Sequence, residues 1–98
     1  INYENRERYK GIAYNALVKK GFFTKGNGVW HHFDCNFPFH IQFSHHSYLN
    51  QVHINNGKTG IFNIYIFKYR EKLWINKLLM QIDLLLKEFY EKQKEKND

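Results

Sequence analysis

Six histidines, His31, His32, His40, His45, His46 and His53, fall between positions 31 and 53 of a 98-residue chain. Imidazole titrates near neutral pH, so a group of this kind suits proton transfer, metal ligation or contact with phosphate. The run Phe37 to Phe43 alternates strictly, with Phe37, Phe39, Ile41 and Phe43 on one side and Pro38, His40 and Gln42 on the other. His40 therefore lies opposite the phenylalanines. His53 likewise lies opposite Val52 and Ile54, His32 shares a face with Trp30, and His31 lies with Val29 and Phe33.

Three kinds of chemistry would use such a group. Zinc needs three or four ligands converging at about 2.0–2.3 Å. His31, His32 and Cys35 are close in sequence and His45-His46 follow. Adjacent histidines on a strand point to opposite faces, however, and no zinc-finger, H-E-x-x-H or facial-triad spacing is present. No metal and no other cofactor is expected. Acid–base catalysis is the second possibility. Two histidines facing each other across a strand pair, beside a lysine that stabilises phosphorane charge, suffice for RNA cleavage. His32, His40 and His53, with Lys25 or Lys58 as the cation, are the obvious candidates for that arrangement, and His31 completes the set of catalytic candidates. The third is recognition of nucleic acid. Trp30, Tyr48 and Tyr69 offer faces for stacking bases, and Lys10, Lys19, Lys20, Lys25 and Lys58 offer charge for phosphates. Lys10, Lys19, Lys20, Lys25, Trp30 and Lys58 form the candidate nucleic-acid contact set.

Other reactive residues lack partners. Gly26-Asn27-Gly28 and Gly57-Lys58-Thr59-Gly60 precede no helix and do not match a phosphate-binding loop, so both read as hairpin turns. Cys35 has no evident base or helix start to activate it and reads as a passive thiol. Ser44 and Ser47 flank His45-His46 without an identifiable third group, so the residues do not make a hydrolase triad.

The stretch Ala16-Leu17-Val18-Lys19-Lys20-Gly21-Phe22, followed by Gly28-Val29-Trp30-His31-His32, resembles HicA toxins. Those are small basic ribonucleases on a double-stranded-RNA-binding-like α-β-β-β-α fold, with a histidine soon after a glycine-serine pair. Here the serine is absent, Trp30 intervenes, and an extra hairpin and a longer terminal helix follow. The likeness covers about the first third of the chain and assigns no family. It implies His31 or His32 as the catalytic candidate.

The elements that position these residues follow from periodicity. Tyr9, Ile12, Ala13, Ala16 and Leu17 form one stripe of a helix over Asn5 to Lys20, with Asn5 as cap and Gly21 as a left-handed stop. Two short β-prone runs flank Gly26-Asn27-Gly28, a sequence suited to a tight hairpin. The Phe37–Phe43 strand follows, with Pro38 at its start or on an edge. After a loop from Ser44 to Asn50, a second hairpin pairs Gln51–Asn55 with Ile61–Tyr69. A long helix then runs from about Arg70 to Lys92, with Ile75, Leu78, Leu79, Ile82, Leu85, Leu86 and Phe89 on its stripe. Residues 93–98 read as a frayed, charge-alternating tail. The expected fold is a single α+β domain over 1–98, with a four- to five-stranded antiparallel sheet. Both helices pack on one face of it.

Leu73, Trp74, Met80 and Leu84 fall off the stripe of the long helix, making its apolar arc wider than one sheet face needs. Trp74, Met80 and Leu84 are therefore candidate partner-binding residues, in a homodimer or with another protein. Lys and Arg total 15 against 9 acids, for a formal charge of +6. That sign favours polyanions, since each neutralised phosphate releases counterions. The 18% aromatic share argues against disorder, and one cysteine excludes an internal disulfide framework. No apolar run approaches the roughly 20 residues of a membrane span and no signal-peptide pattern opens the chain, so a cytoplasmic protein is expected.

The leading expectation is a small binding module that contacts RNA or DNA phosphates through the first helix, hairpin tips and polar sheet face. The alternatives are a protein-binding inhibitor, immunity or accessory factor, and a histidine-dependent, metal-independent ribonuclease. Binding is expected over catalysis.

Overall fold

The computed structural model describes residues 3–45, 50–70 and 72–97. The elements are α1 (Tyr3–Lys19), β1 (Phe22–Thr24), β2 (Val29–His32), β3 (His40–His45), β4 (Asn50–Asn55), β5 (Gly60–Tyr65), a 3-10 turn (Ile66–Lys68) and α2 (Leu73–Asn97). The strands form one antiparallel meander in the order β1-β2-β3-β4-β5. The α+β architecture has the expected element order, and the sheet has five strands.

Alternation of side chains builds the core. Phe22, Trp30, Ile41, Phe43, Val52, Ile54 and Ile64 lie on one sheet face, where they meet Ala13 and Leu17 of α1. Trp74, Ile75, Leu78, Ile82 and Leu86 of α2 complete the cluster. Both helices cover that face, leaving the other open. α1 stops where the backbone turns left-handed at Gly21, φ 96°, whose N–H donates to the Val18 carbonyl. It starts at Tyr3, so Asn5 lies inside the helix rather than capping it.

Several boundaries differ for identifiable reasons. Pro38 has no N–H to donate, and the Phe37 N–H donates to Asp34 O in a turn, so ladder pairing begins at His40 rather than Phe37. Ser44 and His45, expected in a loop, continue β3 opposite Gln51 and Asn50. β5 ends at Tyr65 because the Tyr69 N–H folds back onto Ile66 O in a 3-10 turn. α2 runs past Lys92 to Asn97. Among the described residues no helix is long and apolar enough to cross a membrane.

The wide apolar arc of α2 divides. Trp74 is fully buried, which removes it from the candidate partner surface: it sits at the first turn of the helix, edge-on to Phe43 at 6.5 Å. Met80 and Leu84 remain 65% and 53% exposed, on the same side of the helix as exposed Leu73. Lys20 Nζ donates to Asp83 Oδ1 at 2.5 Å and ties the end of α1 to α2. At the surface such a pair contributes at most about 1 kcal/mol.

Candidate functional site

The open sheet face carries the alternate residues of each strand. Phe23 pairs with His31 across β1 and β2, and His40 pairs with Asn55 across β3 and β4. Val29, Gln42, His53 and Asn63 form a second row across four strands. None of the strand residues is acidic. Between Arg8 and Arg70 of the sequence the single carboxylate side chain is that of Asp34.

At one end of this face the β2–β3 register brings His31 against His40. Their Nδ1 atoms lie 3.0 Å apart and their ring centroids 4.6 Å apart, in an edge-to-face arrangement. One ring must donate and the other accept. The pair lines an open pocket of about 340 Å³ with Phe23, Lys25, Phe33, Asp34 and Cys35, floored by His32 and Phe37. The Phe23 ring lies 5.9 Å from that of His31. Phe33, which is 69% exposed, supplies a second accessible ring.

The β1–β2 turn that holds Lys25 is built from its own side chains. Thr24 Oγ1 donates to Val29 O at 2.8 Å and accepts from the Gly26 N–H, while Asn27 Oδ1 accepts from the Val29 N–H. Gly26 and Gly28 adopt φ of 97° and 80°, as the Gly-Asn-Gly sequence anticipates. The opposite wall is fixed by Asp34, whose Oδ1 accepts from the Asn36 N–H at 3.0 Å.

His31 takes up a proton less readily than an ordinary histidine. Burial is the main cause, followed by the neighbouring His40 and then Lys25. Because folding depresses this affinity, protonation favours the unfolded chain. The contribution is fully present above the unfolded value near 6.5 and is lost as pH falls toward the depressed folded value. Thermal unfolding midpoints are therefore expected to fall between about pH 7 and pH 5, and by less in His31→Gln. Equal falls in both proteins would refute this assignment.

The remaining candidates occupy different places. His32 points into the core, ringed by Phe22, Phe33 and Phe37 at centroid distances of 4.9, 4.5 and 5.1 Å. Its Nδ1 accepts from the Asp34 N–H at 3.2 Å, so the neutral ring carries its proton on Nε2, a buried atom with no hydrogen-bond partner. It supports the pocket floor, packed among aromatic rings. His53 shares the open face but opens onto a separate hollow with Gly60, Ile61, Phe62 and Asn63. The His45 side chain and His46, Ser47 and Tyr48 lie outside the described residues. Among the described residues no three His, Cys, Asp or Glu side chains are placed to hold a metal ion.

The expected basic patch is also redistributed. Lys10 is only 3% exposed, in line with Ala13 and Leu17 on the covered side of α1, and Lys20 is held by Asp83. Trp30 is buried and stacks on Tyr14 at 5.2 Å, so it is a core residue instead of a platform for bases. Lys19, Lys25 and Lys58 are exposed. The meander puts the tips carrying Lys25 and Lys58 at opposite ends of the sheet, so these lysines bracket the open face. The Lys58 tip is shaped by Asn56 Oδ1, which accepts from the Lys58 and Thr59 N–H groups. Phe23 and Phe33, the accessible rings beside the histidine pair, are absent from the sequence-derived contact set. Alternation groups Phe33 with His31, but it follows the last residue of β2 and its ring packs against that of His32 at the rim of the pocket. The place of Phe23 depends on the hairpin register.

Compared with known proteins, the chain matches no protein-family model, no curated protein and no solved structure.

Proposed function

We propose that the chain binds single-stranded nucleic acid across the open face of its sheet. The observation that carries this reading is a sheet face of imidazoles, amides and aromatic rings whose strands contain no acid. Lys25 and Lys58 lie beyond its two ends. Phosphates would meet Lys25, Lys58 and the imidazoles, while Phe23 and Phe33 would stack with bases. Stacking contributes about 1–3 kcal/mol per base. The first helix plays a smaller part than its composition suggests, because Lys10 and Lys20 are engaged within the fold.

Fluorescence anisotropy with a labelled single-stranded RNA tests the reading. Binding is expected at low salt and should weaken steeply between about 50 and 200 mM. Lys25→Glu and Phe33→Ala should each lower affinity about tenfold, or ~1.4 kcal/mol. Absence of binding at low salt would overturn the reading. Equal affinity for RNA and DNA would favour phosphate contact over recognition of the ribose.

A second reading, a protein-binding accessory factor, rests on exposed Leu73, Met80 and Leu84 along one side of α2. Light scattering that shows a dimer, reduced to monomer by Met80→Lys with Leu84→Lys, would favour it. A monomer that binds no RNA would leave neither reading in place.

A further inference from the structure

We propose that His31 and His40 form a coupled proton relay that cleaves the phosphodiester backbone of bound RNA without a metal. This rests on the nucleic-acid reading and gives its site a reaction.

The two rings meet through their Nδ1 atoms, 3.0 Å apart. With both rings neutral, the donor at that contact carries its proton on Nδ1 and has a lone pair on Nε2. The acceptor has its lone pair on Nδ1 and therefore carries its proton on Nε2. The two nitrogens left to meet a ligand are thus necessarily unlike: one is a base and the other a hydrogen donor. A single hydrogen bond fixes complementary roles that two isolated histidines would adopt only in a fraction of molecules.

Both rings line a pocket that also holds Lys25, so a phosphate can sit among them with a cation beside it. The base Nε2 takes the proton of the ribose 2′-hydroxyl as the 2′-oxygen bonds to phosphorus. The Nδ1 proton crosses the hydrogen bond to the second ring. That ring's Nε2 proton passes to the 5′-oxygen as the P–O5′ bond breaks. The pair keeps its total number of protons and ends with its tautomers exchanged. The products are a 2′,3′-cyclic phosphate and a 5′-hydroxyl. Water then adds to the cyclic phosphate by the same path in reverse. The second ring accepts the water proton and the first returns one to the 2′-oxygen, restoring the starting tautomers. Lys25 offsets negative charge on the pentacoordinate phosphorus.

The relay has a kinetic signature. Independent acid and base groups give a bell-shaped pH–rate profile, because one must be protonated while the other is not. The relay needs both rings neutral, so the rate rises with pH through one ionisation and then stays level. The other titratable groups around the pocket are Lys25, His32, Asp34 and Cys35.

The full chain is incubated with a short fluorophore-labelled RNA in chelator, alongside the same oligonucleotide bearing 2′-deoxy sugars. Cleavage of the RNA to cyclic-phosphate ends is expected, with none of the deoxy strand. His31→Gln and His40→Gln, purified identically and checked for folding by circular dichroism, should each lose at least about 100-fold in rate. RNA that is bound but left intact would overturn the relay while leaving the binding reading standing. RNA neither bound nor cut would overturn both. A bell-shaped profile, dependence on added metal or unchanged rates in the variants would also overturn the relay. If either variant unfolds, the profile of the unmodified chain still decides.

Discussion

Trp74→Ala is expected to destabilise the fold by about 3–5 kcal/mol, the range for deleting a buried aromatic ring. A domain of this kind has about 5–15 kcal/mol in total, so the variant should unfold at far lower denaturant concentration. The side chain is fully buried and stands where the first turn of α2 meets the sheet, edge-on to Phe43. Removing it opens a cavity between Phe43 on β3 and the helix start. Urea unfolding followed by far-ultraviolet circular dichroism measures the effect. A loss below about 1 kcal/mol would mean that the ring does not support this junction.

Trp74→Phe separates packing from polarity at the same position. The indole Nε1 is buried without a hydrogen-bond partner, and an unmet buried donor costs about 1–3 kcal/mol. Phenylalanine keeps most of the ring and removes that donor, so the two changes offset each other. The expected loss is under about 2 kcal/mol, well short of the alanine variant. Phe as damaging as Ala would show that the five-membered portion of the indole supplies the essential contacts.

A helical stripe predicts burial against one partner, and along α2 it does so: Ile75, Leu78, Ile82 and Leu86 are buried as spaced. Trp74 stands four residues before Leu78 and eight before Ile82, at the edge of that same stripe. Its burial therefore follows the spacing and not the exposed arc of Met80 and Leu84. Lys10 shows a related omission. Its position three and seven residues before Ala13 and Leu17 puts it in line with the core, a spacing that the charge of its head group obscured. Strand alternation served the site well. It set His40 and His53 opposite their apolar neighbours and His31 and His32 on opposite faces of β2, but it does not tell which of those two shares the open face. What it could not supply was the lateral register. The meeting of His31 with His40 needs Val29 opposite Gln42 and Trp30 opposite Ile41, and the 33–39 connection fixes that pairing. The same limit applies to Lys25 and Lys58, whose separation follows from strand order and not from composition.

Gly21→Ala is expected to cost about 1–3 kcal/mol and to weaken RNA binding as well. Gly21 has φ of 96°, where a side chain adds about 1–2 kcal/mol of strain. An added Cβ would stand 2.6 Å from Cδ1 of Phe33 and 3.1 Å from Nε2 of His32. The Phe33 ring is exposed enough to swing away, whereas His32 is enclosed by Phe22, Phe33 and Phe37. Relief therefore comes by moving Phe33, one of the two rings proposed to stack on bases. The β2 pairing that holds this corner, with the Phe33 N–H donating to Gly21 O at 2.9 Å, loosens with it. A double-mutant cycle tests the mechanism, since Phe33→Ala removes the crowded atoms and leaves the backbone strain. In that background Gly21→Ala should cost less by at least about 0.5 kcal/mol. Strict additivity would assign the whole penalty to the backbone, and unchanged RNA affinity in Gly21→Ala would remove Phe33 from the binding face. Crowding and strain make separable contributions here because the glycine satisfies two demands: a left-handed stop for α1, and a bare surface on which the aromatic wall of the pocket rests.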